Sequence, residues 1–418
     1  MSNVFAVTDL VAKDALRIAH EKLQFIGTID RQYDESFKMS PSSRAPHGST
    51  LRVKYPNQYT RRQGSRVMSV QDQSELTGTI TVATQDGVDI RFNSQELIQS
   101  VHNDGAFADL SSRYIEPAVA AMCSGIESDF IAYATKQTYN CAGTAGTALT
   151  DLTAFGLARA KLNQGLAPKD GNRALQIDSM SMASVVNGLK GLFQDSTQIR
   201  EQYREGMVGR TSMADWYEND RMWTMTNGSD VTGTTDAAAG VTDGGSTLSA
   251  DTASPVTYTV GQVFTIAGVY ACHPETKQSL GVLQQFTNTA GTGSGGDMTI
   301  SPATYLTGPR QNVCSAASAQ LATTDFNSKT MTAVGAASTS YTMGLMYHRE
   351  AFQFVCADLP IFDSAERCVN KRSENLSLRV WMAPDIRNDE LLCRVDILYG
   401  MAALRPAWAS RIVGAASA

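Results

Sequence analysis

Apolar positions along the chain fall into several distinct rhythms. Leu10, Val11, Ala15, Ile18, Ala19 and Leu23 recur three and four residues apart, which predicts an amphipathic helix from Thr8 to Ile26 with Thr8 as N-cap and Gly27 as stop. Its other side carries Asp9, Lys13, Asp14, Arg17, Glu21 and Lys22. The longest helical pattern is Phe107, Leu110, Tyr114, Ala118, Met122, Ile126, Phe130 and Tyr133. At 1.5 Å per residue it makes a spine of ~45 Å, with Pro117 expected to kink or restart it. Further helices are predicted over Asp151 to Leu162, capped by Thr150 or Asp151 and stopped at Gly165, over Met180 to Leu192 behind a Ser cap, and over Thr197 to Arg204.

Alternation marks the strands. Thr50 to Tyr55 reads as a short one, and Ile80, Val82 and Ala83 lead through Asp86-Gly87 to Val88, Ile90 and Phe92 as a hairpin. Ala174 to Ile177 follows the second helix. Val263 to Val269, Leu280 to Phe286 and Met298 to Ile300 are β-type stretches between glycine turns, preceded by Asn227 to Ser254, which reads as a long mobile loop. Leu376, Leu378, Val380 and Met382, a turn at Asn388-Asp389, and Cys393, Val395, Ile397 and Tyr399 predict paired strands that close a sheet begun before residue 227. Such pairing across more than a hundred residues implies an inserted module.

At 418 residues the chain has room for two or three domains, and 42% apolar residues suffice for real cores. The net charge of -6 leaves no global basic field for nucleic acid. Charge is nonetheless uneven. Residues 36 to 71 hold Lys38, Arg44, Arg52, Lys54, Arg61, Arg62 and Arg66 with no acid, whereas 222 to 347 hold three bases against seven acids. The basic run, rich in Ser, Gln, Pro and Gly, reads as an extended loop that binds either a polyanion or a neighbour's acidic surface. With no repeated aromatics beyond Tyr55 and Tyr59 among its strand and loop residues, it offers no stacking platform for single strands. No run approaches the ~18 apolar residues of a membrane span or the core of a signal peptide, so a soluble protein made in the cytoplasm is expected.

Catalytic signatures fail in turn. His20-Glu21 opens an HExxH pattern that Gln24 breaks. Gly291, Gly293 and Gly296 satisfy GxGxxG but run into the strand beginning Asp297-Met298, where phosphate cradling needs a helix N-terminus; a hairpin loop fits better. His20, His47, His102, His273 and His348 stand in five separate contexts. Seven cysteines without a CxxC pair give neither a zinc knuckle nor a disulfide framework, and reduced buried thiols are the default. Cys356 and Cys368 would need a spatial histidine to act as a nucleophile site. No enzyme, cofactor or metal is expected.

The run Leu391 to Pro406, with Cys393, Arg394, Tyr399, Gly400, Arg405 and Pro406, resembles the end of the P22-like phage major coat proteins, where a strand of type CRIxxxYG precedes an Arg-Pro pair. Gly261-Gln-Val-Phe-Thr-Ile-Ala-Gly-Val269 resembles the GDxIxxAGV strand of that family's insertion domain, with Gln262 replacing the acid. Element order agrees along nearly the whole chain. The resemblance implies an α+β, HK97-type capsid fold with an inserted antiparallel β-barrel-like domain. It divides the chain into an N-arm (1–38), an E-loop with adjoining hairpin (39–93), a spine-helix region (94–139), a first axial part (140–226), the inserted β domain (227–340) and closing strands (341–418).

It further implies a major capsid protein that self-assembles with a scaffolding protein into pentamers and hexamers of an icosahedral shell. The shell would hold a portal and the double-stranded DNA of a tailed phage, without sequence-specific contacts or a membrane, and be built in the bacterial cytoplasm for the virion. Intersubunit contacts are expected from Arg52, Lys54, Arg61, Arg62 and Arg66 in the E-loop, and scaffold contacts from Asp9, Asp14 and Glu21. Insertion-loop contacts are expected from Asp230, Asp236, Asp243 and Asp251, reaching across a symmetry axis, and the locking of the shell is expected to be noncovalent. The competing reading is a phage or cell-surface adhesin whose Thr/Gly-rich insertion binds a ligand; a hydrolase with an unrecognised site is a third.

Overall fold

The computed structural model describes residues 15, 17, 19, 23–31, 50–93 except 63, 65, 69 and 72–74, 116–189, 210–361 except 237–240, 252–256 and 292–296, and 368–416 except 374–375. The expected helix over Thr197 to Arg204 and the Phe107 to Tyr114 half of the spine lie outside these residues. The chain divides into two compact units, one of residues 1–53, 77–130 and 352–404 and one of 54–76, 131–351 and 405–418.

In the first unit a sheet runs in the order Phe352–Ala357, Glu390–Ala403, Leu376–Asp385, Cys368–Ser373, with Thr84–Asn93 also paired to Glu390–Ala403. Pairing of Thr84–Asn93 with Glu390–Tyr399 along its full length closes the sheet across the insertion, as the alternation predicts. The Asp86-Gly87 hairpin does not form. Thr77–Thr81 pairs instead with Thr50–Lys54, and Asp86-Gly87 lies inside a continuous strand. Glycine is required there by close approach, since a Cβ at Gly87 would stand 2.6 Å from both the Asp396 carboxylate and the Val395 carbonyl.

The spine helix, Glu116–Gln137, carries Pro117 in its first turn, where a missing N–H costs nothing. Val119, Met122, Cys123, Ile126 and Phe130 form its buried stripe. Phe25, on the short helix Gln24–Thr28, meets Phe130 edge-on at 5.2 Å and Phe352 at 6.3 Å, while its N–H donates to the buried Glu127 carboxylate. Gln353 donates to Asp30 at 2.9 Å, so the segment after the N-terminal helix is fixed by both apolar and polar contacts.

The second unit contains two seven-stranded sheets. One is ordered Cys141–Ala142, Ala409–Ala416, Ser340–His348, Arg173–Ile177, Ala214–Glu218, Arg210–Thr211, with Thr224–Thr226 also paired to Ser340–His348. The helices Thr153–Gln164 and Ser179–Leu189 cover it, with Phe155 against Trp216 at 4.5 Å. The first helix has Leu152 at its N-cap and not Thr150 or Asp151, although Asp151 accepts the Thr153 N–H at 3.0 Å; the second takes its cap from Asp178, which accepts the Ser181 N–H at 3.0 Å, and not from serine.

The other sheet lies wholly within residues 232–333, in the order Gly245–Ser249, Asp297–Thr304, Ser279–Ala290, Val263–Cys272, Thr330–Ala333, Thr232–Thr234, with Val313–Cys314 also paired to Val263–Cys272. Its two outer strands meet. Thr235 bridges Ala250, the Asp251 N–H donates to Thr234 O at 3.0 Å, and the Asp236 N–H donates to Ser249 O at 2.9 Å. The sheet thereby closes into an antiparallel barrel around Leu248, Tyr258, Phe264, Ile266, Phe286, Ile300, Phe326 and Met331. This corrects the expectation of a mobile loop from Asn227 to Ser254, whose residues supply the two closing strands. Their Thr, Gly and Ser composition hides them, because most of their barrel contribution is backbone hydrogen bonding.

Candidate assembly surfaces

Residues 54–76 fold back on themselves as a narrow loop. Tyr55 N–H donates to Leu76 O at 2.9 Å, Lys54 pairs with Glu75 at 2.7 Å, and Gln71 clamps Thr60 from both sides, accepting its N–H at 2.9 Å and donating to its carbonyl at 2.6 Å. The Arg62 guanidinium donates to Val67 O across the tip. Arg52, Lys54, Arg61, Arg62 and Arg66 are all exposed, as an interaction surface needs. The acid-free run ends at Gln71, and Lys54 finds its local partner beyond it in Glu75. What the charge reading missed is apolar. Val67, Met68 and Val70 are 76–78% exposed at the tip, with Tyr59 at 56%. The only signal in the chain is three apolar residues within four, Val67, Met68 and Val70, beside Arg66.

Two of the insertion acids bind groups of their own domain while staying at least partly exposed. Asp230 accepts the Thr257 N–H at 2.8 Å; Asp243 accepts the Leu306 N–H at 2.7 Å and the Thr307 hydroxyl at 3.1 Å. Asp236 and Asp251 hold the barrel closure through their backbone. Asp9, Asp14 and Glu21 lie outside the described residues, as do His20, His47 and His102. Cys356 is buried and exchanges hydrogen bonds with the Ser377 backbone. Gly291 precedes a connection between two antiparallel strands, not a helix. Among the described residues no three His, Cys, Asp or Glu side chains converge as a metal site, and no helix is long and apolar enough to cross a membrane.

The Gly261 to Val269 motif sits where the barrel is fastened. Gln262 is fully buried; its Oε1 accepts the Gly228 and Thr259 N–H groups at 3.0 Å, and its Nε2 donates to Asp230 O at 3.1 Å. An aspartate could not make that last bond, which gives the Gln262 departure a local reason. Gly261 has φ +96°, and a Cβ there would stand 2.8 Å from Trp223 and 2.9 Å from Lys136. Gly261→Ala should lower stability by roughly 1–3 kcal/mol, measured by urea unfolding; an unchanged midpoint would refute the close-approach account.

On the same unit, His348 is buried with Nε2 3.1 Å from the Asp170 carboxylate, and its Nδ1 accepts the Glu350 N–H at 3.3 Å. Burial by itself raises the Asp170 carboxyl, but hydrogen bonds from the Asn172 backbone and side chain and from His348 outweigh it and hold the group at about 2. A carboxyl depressed in the folded state adds stability above its ordinary 3.8, which is lost as pH falls toward 2. Asp170→Asn should therefore flatten the melting temperature against pH between those values.

A closed β barrel set into an α+β chain, with an exposed, internally clamped loop, defines a structural protein that works through broad surfaces. The chain belongs to the P22 coat protein family, described as gene protein 5, which matches residues 164–414. It is a phage major capsid protein, a subunit of the virion shell. No curated protein matches the chain. Among solved structures it is similar to a chain of Mycobacterium phage Che8 (10% identity, 92% of this chain and 89% of that one, TM-score 0.47) and to the capsid of Ralstonia phage GP4 (8% identity, 94% and 88%, TM-score 0.47). A third likeness is to the capsid of an empty GTA particle (9% identity, 93% and 90%, TM-score 0.44).

Proposed function

We propose that residues 54–76 are the E-loop of an HK97-type subunit and bind a neighbouring copy, with the apolar tip as anchor and the arginines as rim. The supporting observation is the exposure of Val67, Met68 and Val70 on a loop already clamped by Gln71, Glu75 and Leu76. Magnitudes favour the tip. Burying one such side chain yields ~1.5–3 kcal/mol, against ~0.2–1 kcal/mol for an exposed ion pair. Clamping before binding reduces the ordering entropy the contact must overcome. Arg52, Lys54, Arg61, Arg62 and Arg66 then steer the loop toward an acidic neighbour, an ionic-strength-sensitive effect.

The shell so formed is icosahedral, of pentamers and hexamers, with a portal, and encloses the double-stranded DNA of a tailed phage. Assembly takes place in the bacterial cytoplasm, where a scaffolding protein docks on Asp9, Asp14 and Glu21. Asp230, Asp236, Asp243 and Asp251 mark the barrel rim that meets other capsomers.

The Val67→Ser/Met68→Ser/Val70→Ser variant should abolish shells in negative-stain images while the unassembled chain melts as wild type. Arg61→Ala/Arg62→Ala/Arg66→Ala should slow assembly and weaken its salt dependence. Normal shells from the apolar variant would overturn the anchor, and equal loss of monomer stability would show that the tip serves the fold.

A further inference from the structure

Cys272 ends the barrel strand Val263–Cys272, and Cys314 ends the short strand Val313–Cys314 paired with it. The register sets Tyr270 opposite Cys314 and Ala271 opposite Val313, and the Cys272 N–H donates to Asn312 O at 3.0 Å. Cys272 and Cys314 are thus diagonal neighbours on one face of an antiparallel pair. Each sulfur lies 3.9 Å from a carbonyl at the end of the Val263–Cys272 strand, His273 O for Cys272 and Ala271 O for Cys314. Both are free and buried. Of the seven cysteines, these two stand diagonally across one pair of antiparallel strands.

We propose that Cys272 and Cys314 are a modification site, forming an intrachain disulfide in the barrel when the coat meets an oxidising medium. The proposal rests on the coat reading only for its setting: a virion leaves a reducing cell for an environment in which disulfides persist. The oxidant is a low-molecular-weight disulfide. The Cys272 thiolate attacks one of its sulfurs, its S–S bond breaks, and one small thiolate leaves. The Cys314 thiolate then attacks the Cys272 sulfur of the mixed disulfide, the Cys272–Cys314 bond forms, and a second small thiolate leaves. The two protons given up by the cysteines end on the two released thiols, and the two electrons on the reduced oxidant.

Cys272 is the entry point, being slightly exposed where Cys314 is wholly buried. Burial pushes its thiol up to about 11, with Cys314 adding to the rise and the Lys277 ammonium opposing it. Closure is therefore slow at neutral pH, which keeps the pair reduced during brief exposure and lets it close over a virion's extracellular life. The bond would close a chain segment containing Ser279–Ala290 and Asp297–Thr304, both barrel strands, and so restrict the barrel's unfolded ensemble.

The full-length unassembled chain is incubated with oxidised glutathione, alkylated, denatured and digested with trypsin. Cleavage after Arg221, Lys277, Arg310 and Lys329 places the two cysteines on separate peptides. The expected result is two of the seven thiols lost to alkylation, with Met222–Lys277 joined to Gln311–Lys329 and the product lighter by two hydrogens. Proteolysis of the oxidised barrel in urea should slow by about tenfold or more. Cys272→Ser and Cys314→Ser should each abolish the joined peptide. If a serine variant misfolds, the wild-type map decides alone. Seven alkylatable thiols after prolonged oxidation, or joining through any other cysteine pair, would overturn the proposal. Because no shell is needed, failure of assembly leaves this outcome unaffected.

Discussion

Arg411→Met should cost the second unit about 3–5 kcal/mol, among the largest effects of any single change in the protein. The Arg411 side chain is wholly buried on the strand Ala409–Ala416, and its charged partners are replaced by neutral oxygens. Nε donates to Thr138 O at 2.6 Å, Nη2 to Lys136 O at 3.1 Å and to the Thr287 hydroxyl at 2.8 Å, and Nη1 to Gly261 O. Lys136 and Thr138 lie at the C-terminal end of the spine helix, where carbonyls lack intrahelical donors and the helix dipole is negative, so the cation meets a fixed complementary field. Gly261 and Thr287 belong to the barrel. One guanidinium thus fastens the last turn of the spine, the barrel and the closing strand. Burial lowers its pKa to about 10, which leaves it charged at neutral pH.

Methionine preserves most of the apolar stem but leaves three carbonyls without their donor, each costing ~1–3 kcal/mol when buried. Arg411→Lys, with one compact ammonium in place of a planar fork, should recover only part of the loss. Urea unfolding followed by circular dichroism measures both. A loss below about 1 kcal/mol for Arg411→Met would show that relief from burying an uncompensated cation offsets the lost bonds.

Asp396→Ala should destabilise the first unit by a similar ~3–5 kcal/mol. Asp396 is 1% exposed and holds Arg379 at 2.6 Å, itself 6% exposed, and Arg394 at 2.7 Å. Arg379 also reaches Pro360 O at 3.1 Å and stacks over Trp381 at 5.7 Å, so removing its carboxylate leaves a nearly buried cation without its counter-charge. Asp396→Asn, which keeps an acceptor but not the charge, should cost less. Arg394→Ala, on the half-exposed side, should cost under about 1 kcal/mol. Equal effects from Arg394→Ala and Asp396→Ala would mean that the buried pair is not the dominant element.

Several elements were legible because their burial is one-sided. The spine stripe, the Arg173–Ile177 strand and the pairing of Leu376–Asp385 with Glu390–Ala403 all follow from apolar period, and the closure of that sheet by Thr84–Asn93 follows from the gap between matching patterns. Asp86-Gly87 misled because the dipeptide that favours a tight turn also suits a strand pressed against another chain segment, and only the nearness of Asp396 distinguishes the two. The segment from 227 to 254 misled for the opposite reason, since Thr232–Thr234 and Gly245–Ser249 gain their place from backbone bonds that no side-chain pattern records.

The surfaces divide in the same way. Sequence by itself located the basic loop and its exposed arginines, because uncompensated like charges within a few residues find no stable place in a core. It also marked Gly261, Gln262 and the Arg405-Pro406 ending as the residues that carry the family resemblance. Only the tertiary structure showed that Val67, Met68 and Val70 project from a clamped tip, that two inconspicuous strands close the barrel, and that Arg411 and Asp396 are buried at the centre of separate networks. Apolar periodicity is a local property of the chain. Solvation of a charge depends on segments far apart in sequence that meet only when the chain has folded.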